Sequence, residues 1–497
     1  MNFRKTFLKN QISSVKKGLA KKQFSFLDRL NQSSVAFGAT KYDPTKEFEG
    51  HNPIVYKGSS DQIDYKIKKL HNGITVISET SAYPSSVNMG ILINVGARDE
   101  NSETSGSCLA LKNTYLKTIK HTNETINYGM IQMSGGETTM EYDEETLFYK
   151  SNCFDYDTVD MFRLLSDIAF EPRSMLSANV AKGKNKFSFQ LHKHLGGYNP
   201  FQDNPQRLMT TAYGYNTLGM PLMGLESNIG NIDSKMLQDF QVSNITPEKT
   251  TIIGTGLRNH EEFYDLVNQT LGVLNPVREQ AYSRQASKYI GGEYRTFTET
   301  PDTNIILAYE SVNWTHEDMP VFAVLHTLFG AGTGFSVGGP GKGMHNWANE
   351  RVVRRHYFIQ ECEAINSHFT DSGLFGLSFT GSSANCKEIL QEMIGIFEAF
   401  RSDIKEIDLN RAKNMMKRQV LLNVANQADR MEEVVRTYSI HKDIKIIDNY
   451  LNMIDSVTPE RISKVISKML QGKPTLVVTG NAVNLVPSVS DVQGLLR

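Results

Sequence analysis

"GLFGLSFTGSSANCKEILQEMIGIFEAF", residues 373–400, reads as an apolar strand, a small polar turn, and then a helix whose apolar side chains recur every three to four residues. Residues 147–170, "LFYKSNCFDYDTVDMFRLLSDIAF", run in the same order. The correspondence continues outward from this pair. "DTNIILAYESV" (302–312) echoes the strand in "SVNMGILINVGARDE" (86–100), and "MPVFAVLHTLF" (319–329) echoes the helix in "SGSCLALKNTYLKTI" (105–119). The offsets are roughly 214 to 227 residues, so one period spans half the chain, which fits a duplication better than a solenoid. "YKIKKLHNGITVISE" (65–79) predicts a hairpin around Asn72-Gly73, and "ETTMEYDEETLFYKSNCF" (137–154) predicts two more strands. Hairpins and neighbouring strands interleaved with helices imply an α+β fold: two homologous halves, each an antiparallel sheet with packed helices. The expected boundaries are a leader over 1–58, halves over 59–275 and 294–497, and a polar linker over 276–293.

The composition is that of a globular protein, with 39% hydrophobic and 22% charged residues in 497. A net charge of −1 excludes a strongly basic nucleic-acid binder, but the charge is unevenly spread. Residues 1–30 carry Arg4, Lys5, Lys9, Lys16, Lys17, Lys21, Lys22 and Arg29 against Asp28, with Phe3, Phe7, Leu8, Ile12, Val15 and Leu19 on a helical stripe. A basic, amphipathic, acid-poor start predicts a mitochondrial targeting segment. Removing that surplus of seven from a total of −1 leaves the remainder at about −8. Cys108, Cys153, Cys362 and Cys386 form no C-x-x-C pair, so neither a disulfide framework nor a structural zinc is suggested.

A second stretch, "FGAGTGFSVGGPGKGMH" (329–345), sets seven glycines between Gly330 and Gly343. Bare backbone at that density suits a segment that something approaches closely. It is not a Walker loop, because Gly341-Lys342 is followed by Gly343 and preceded five residues earlier by Ser336. It is not a dinucleotide loop either, since Gly330-x-Gly332 leads to Phe335 and Gly339-x-Gly341 to Met344. The uncharged stretch between Asp318 and Lys342 does not span a membrane, because its second half is glycine, serine and threonine rather than a continuous apolar run.

This loop resembles the glycine-rich loop of mitochondrial processing peptidase alpha subunits, within the pitrilysin-type inverted-zincin superfamily. "NVGARDE" (94–100), "NTLGMPLMG" (216–224) and "AINSHFTDSGLFG" (364–376) match the same family, and the resemblance covers about residues 60–497. Core subunit two of respiratory complex III is its neighbour there. The resemblance implies two halves facing each other across a cavity, and a heterodimer with a zinc-bearing beta subunit that acts on basic presequence peptides. It also implies a place in the mitochondrial matrix, on the inner-membrane face if the chain is part of complex III. After the loop, alpha subunits usually continue M-Y-S-R-L-Y, whereas this chain reads Met344, His345, Asn346, Trp347, Ala348, Asn349.

An inverted zincin needs His-x-x-Glu-His on a helix, two imidazoles for zinc and a carboxylate for the water. The matching positions here are Cys108, Leu111 and Lys112. The third ligand in active relatives falls near Phe189, yet Val180 to Leu195 contains no acidic residue. His121 with Glu124, His260 with Glu261 and His316 with Glu317 lack the second histidine, and His192 and His194 point to different helix faces. No catalytic residue, metal or other cofactor is expected, zinc being confined to the beta partner. The expected role is substrate holding: Gly330, Gly332, Gly334, Gly338, Gly339, Gly341 and Gly343 offer backbone to an extended peptide, Phe335 and Met344 offer apolar contact, and Lys342 pairs with an acidic partner or with peptide carbonyls. The alternative is a purely structural core subunit with the loop as a long turn. In "GGETTMEYDEE" (135–145), strand alternation would send Glu141, Asp143 and Glu145 to one face, either lining a cavity or guarding a sheet edge.

Overall fold

The structure is a computed structural model and describes residues 64–81, 85–117, 124–170, 201–228, 231–274, 284–333, 345–444 and 446–496. The basic leader, His121, the stretch around Phe189 with His192 and His194, and most of the glycine-rich loop lie outside the described residues. The first sheet is built from β1 (Tyr65–Lys69), β2 (Thr75–Thr80), β3 (Ser86–Ile93), β4 (Glu137–Tyr142), β5 (Leu147–Phe154) and β6 (Thr250–Leu257), in the order β1-β2-β6-β3-β5-β4. The second is built from β7 (Gly292–Phe297), β8 (Asp302–Glu310), β9 (Ala331–Thr333), β10 (Ile359–His368), β11 (Gly373–Ser382) and β12 (Thr475–Gly480), in the order β7-β12-β8-β11-β10-β9.

The duplication is visible in this topology. β2-β6-β3-β5-β4 superposes in order on β7-β12-β8-β11-β10, and each sheet adds one strand at the opposite edge, β1 in the first and β9 in the second. Each sheet is antiparallel except for one equivalent pair, β2 with β6 and β7 with β12, which run parallel. The expected hairpin is β1–β2, paired from Tyr65↔Glu79 to Lys69↔Thr75 and turned at Gly73 with φ 100°.

Stretches such as "MGILI" (89–93) and "IILAY" (305–309) are continuously apolar because both faces of each sheet are covered. In β3, Val87, Met89, Ile91 and Ile93 pack under α3 (Thr158–Phe170) and α6 (His260–Leu271). In β8, Ile305, Leu307 and Tyr309 pack under α7 (Met319–Phe329), α8 (Cys386–Ser402) and α12 (Pro459–Met469). The opposite faces are covered by exchanged helices. α4 (Asn204–Tyr213), from the first half of the chain, lays Leu208, Met209 and Ala212 on Ile306, Ala308 and Val477 of the second sheet. α10 (Gln427–His441), from the second half, lays Met431, Val434 and Val435 on Ile77, Leu92, Phe148 and Ile253 of the first. At about 1.5–3 kcal/mol per buried large apolar side chain, each exchanged helix adds substantially to the stability of the sheet it covers.

Candidate functional site

Cys108, Leu111 and Lys112, the residues read against the zinc motif, lie on one helix, α1 (Ser107–Thr114). It begins at Gly106, held at φ 96°, and has no side-chain cap of the usual kind. The Glu100 carboxylate takes that role, accepting the Gly106 and Cys108 amide N–H groups, each at 2.7 Å. Burial is the main cause that pushes the Glu100 carboxyl up to about 7, against the lowering effect of those two bonds. The Cys108 side chain is wholly buried, and burial together with Glu100 pushes its thiol up, so it is no ready thiolate. Leu111 is 3% exposed and belongs to the core of the first half. Lys112 turns outward, its ammonium 5.4 Å over the Tyr142 ring. Of the three, Cys108 and Leu111 are thus core and Lys112 is a surface cation. Among the described residues, no cluster of three or more His, Cys, Asp or Glu could hold a metal ion.

Because Glu100 binds its proton more tightly folded (about 7) than unfolded (about 4.3), its contribution to stability is full below the unfolded value and is lost as pH rises toward 7. Urea titrations across pH 4 to 7.5 should show that loss, with a shallower slope in Glu100→Gln.

The glycine-rich loop springs from the edge of the second sheet. α7 ends at Gly330, whose φ 69° and ψ −145° lie in a region nearly closed to other residues. A Cβ there would sit 2.3 Å from the Asn346 side-chain nitrogen. Gly332 lies in β9, the edge strand, which pairs with β10 from Ala331↔Glu363 to Thr333↔Glu361. Gly334, Phe335, Gly338, Gly339, Gly341, Lys342, Gly343 and Met344 lie outside the described residues. On the return side, the side-chain amides of Asn346 and Asn349 donate to the Ala331 carbonyl at 2.9 and 3.1 Å, so both roots of the loop are clipped together. The departure from M-Y-S-R-L-Y is accommodated by Trp347. It is buried, stacked on Phe400 at 5.3 Å, donates from Nε1 to Asp408 at 3.3 Å and is covered by the Arg351 guanidinium at 3.6 Å, which seats the following π-helical turn, Ala348–Val353.

Between the halves lies a cavity of about 420 Å³. It is bounded by the β4–β5 turn on one side and the end of β10 on the other, with α10 and Tyr450 of α11 (Ile446–Asp455) closing it. The acidic face expected from strand alternation is corrected here, because the strand stops at Tyr142. Asp143 accepts the Glu145 and Thr146 amides at 2.8 and 2.6 Å and thereby makes a turn. Glu141 is exposed and paired with Lys150 at 2.7 Å. Asp143 and Glu145 do line the cavity, but arginines compensate them: Arg436 on Asp143, and Arg98 and Arg284 on Glu145.

Beside the cavity, Arg98 makes a two-pronged pair with Asp371, at 3.1 and 2.8 Å, while also bonding Glu145, the Gln285 carbonyl and Ser287. Arg284 of the linker pairs likewise with Asp99, at 3.1 and 2.9 Å. The available sequence signal is an arginine in "NVGARDE" and an aspartate in "TDSGLFG", two motifs of opposite halves, and no local spacing joins them.

Two family models match consecutive stretches of the chain: "Insulinase (Peptidase family M16)" over residues 75–226 and "Peptidase M16 inactive domain" over 231–416. The chain belongs to the M16 peptidase family. Within M16 it closely resembles the alpha subunits of mitochondrial-processing peptidase. It is 27% identical to a probable alpha-2 subunit of Arabidopsis thaliana, over 87% of this chain and 85% of that one. It is 25% identical to the alpha subunit of Homo sapiens, over 88% and 85%. The M16 fold is shared with a chain of complex III from Candida albicans, at TM-score 0.73 and 16% identity over 87% of this chain and 99% of that one. It is shared too with a protease from Helicobacter pylori, at TM-score 0.75 and 16% identity over 84% and 99%. The second stretch matches the inactive domain and the described residues hold no metal-binding cluster: this member is non-catalytic.

Proposed function

We propose that the chain is the non-catalytic, alpha-type half of a processing peptidase in the mitochondrial matrix, holding basic presequences for a zinc-bearing beta-type subunit. The observation that supports this reading is that Cys108 and Leu111 are buried in the core where a zinc motif would need ligands, in a chain whose long glycine-rich loop has a fixed root. Binding energy supplied by one subunit can serve chemistry performed on another. The edge strand β9 leads directly into the loop, so an extended peptide there can pair with strand and loop backbone together. The substrate-holding residues are Gly330 and Gly332 at the root and Gly334, Phe335, Gly338, Gly339, Gly341, Lys342, Gly343 and Met344 beyond it. A structural role as a matrix-side core subunit of complex III is the second reading, favoured by the fold shared with the Candida albicans chain. The two readings are compatible.

The test is cleavage of a fluorescent presequence peptide by this chain, by its zinc-bearing partner and by the mixture, before and after deletion of Gly334 to Gly343. Activity confined to the mixture, and reduced at least tenfold by the deletion with the heterodimer intact, is the expected result. A mixture indifferent to the deletion would leave only the structural reading.

A further inference from the structure

The helix that follows α8, α9 (Glu406–Ala425), is apolar on two opposite sides. At about 100° per residue, Leu409, Ala412, Met416 and Val420 fall on one side, and they pack into the core of the second half, where α9 lies against α7. Ile407, Met415, Leu421 and Leu422 fall on the other side, within a stripe of about 120°, and are 68, 40, 56 and 46% exposed. Lys413 and Lys417 mark one border between the two sides, reaching the Asp455 carbonyl and carboxylate of α11 at 3.0 and 2.8 Å. A helix of a globular domain buries one apolar stripe; a second stripe left facing solvent points to a partner.

The charge on this stripe narrows the choice of partner. Arg411 and Arg418 stand in its middle, and residues 411–425 contain no acidic side chain. Arg418 is exposed and has no ion pair among the described residues. A basic presequence would meet like charge here. A bilayer would find no aromatic side chain between Glu406 and Ala425 to seat at its interface. The complementary surface is apolar, with a carboxylate opposite Arg418.

Position narrows the choice further. Arg411 Nη1 donates to the His345 carbonyl at 2.9 Å, and Asp408 accepts from Trp347 Nε1, so the start of α9 is fixed to the return root of the glycine-rich loop. The stripe runs about 22 Å along the helix from Ile407, beside that root, to Leu422. A subunit that receives a peptide held by the loop must lie next to the root, where this apolar surface begins. We infer that the outer face of α9, with Ile407, Met415, Leu421 and Leu422 around Arg418, is a docking surface for the zinc-bearing subunit, which meets it with apolar side chains and a carboxylate. This inference rests on the presequence-holding reading and names the surface by which the loop is brought to the other subunit's zinc.

The experiment measures association of the full chain with the organism's own zinc-bearing, beta-type subunit by sedimentation velocity, at low and at high salt. Leu421→Ser/Leu422→Ser and Arg418→Glu probe the stripe. Val242→Ser, at an exposed apolar position of α5 (Ser234–Asn244), is the control, and circular dichroism with thermal unfolding checks each fold. Expected are at least about tenfold weaker association of the double variant, a several-fold loss in Arg418→Glu that shrinks as salt rises, and no change in Val242→Ser. Association of the double variant or of Arg418→Glu equal to wild type, or an equal loss in Val242→Ser, overturns the surface. So does a homodimer of the chain alone that the double variant dissolves, which would seat a second copy on the stripe. Loss of presequence-peptide binding by the double variant alone overturns it too, by making the stripe a substrate site. If the variants associate normally and processing still depends on the glycine-rich loop, the surface alone has failed. If the wild-type chain and the zinc-bearing subunit do not associate, the presequence-holding reading falls and the surface falls with it.

Discussion

Replacing Arg98 by methionine should destabilise the folded chain by about 3–5 kcal/mol, the range for removing one partner of a buried ion pair. The Arg98 side chain is 1% exposed and Glu145 10%, so the mutation strands Glu145 away from water with only Arg284 and Thr370 to answer it. Asp371, at 28% exposure, loses its two-pronged partner but regains some solvent. Asp371→Asn should therefore cost less, about 1–2 kcal/mol. Partial burial pushes the Asp371 carboxyl upward, but Arg98 and the Ser287 amide outweigh it and hold the carboxyl below its usual range. That part of the stability is full above the unfolded pKa and is lost as pH falls through the folded one, so the gap between wild type and Arg98→Met should narrow in acid. Urea titration of both single mutants and the double mutant checks this, since the coupling between directly paired residues is what such a cycle isolates. A loss below about 1 kcal/mol for Arg98→Met would mean that the exchanged helices alone hold the halves together.

This latch shows where sequence reading stops. The strands and most helices were legible because their apolar spacing is a local property, and the repeat of one half in the other exposed the duplication. What covers each sheet was not legible. The apolar sides of α4 and α10 announce that these helices are buried, but periodicity names no partner, and each crosses to the opposite half. The acidic run misled for a different reason. Alternation was carried through Tyr142, whereas Asp143 uses its short side chain to bond two backbone amides and end the strand, which moved Glu145 into the latch. The lining of the cavity between the halves needed three dimensions altogether, since Glu144, Trp314, His368 and Glu433 come from four separate stretches of the chain. The departure of Cys108, Leu111 and Lys112 from the zinc motif is a matter of residue types at fixed spacing, so reading it needs no knowledge of packing.

Rebuilding the zinc motif by Cys108→His, Leu111→Glu and Lys112→His should yield no peptidase and a chain less stable by about 3 kcal/mol or more. The motif supplies two imidazoles and a carboxylate, but catalytic zinc sites use three protein ligands, and no acidic residue stands between Val180 and Leu195 to provide the third. The stability loss has a separate cause. Leu111→Glu would place a carboxylate among the apolar side chains of the first half, and Cys108→His would force an imidazole into a site with no exposure beside the Glu100 carboxylate. Leu111→Glu alone should account for most of the loss at neutral pH and for less below about pH 5, where a carboxyl can enter the core protonated. Zinc titration calorimetry, peptide cleavage and urea unfolding of the single and triple mutants separate the two effects. Cleavage by the triple mutant would show that a third ligand exists elsewhere in the chain. Unchanged stability would show that the helix is free to turn its zinc face away from the core, which the tight seating of Gly106 against Gly224, whose added Cβ would lie 2.7 Å from the Gly106 Cα, argues against.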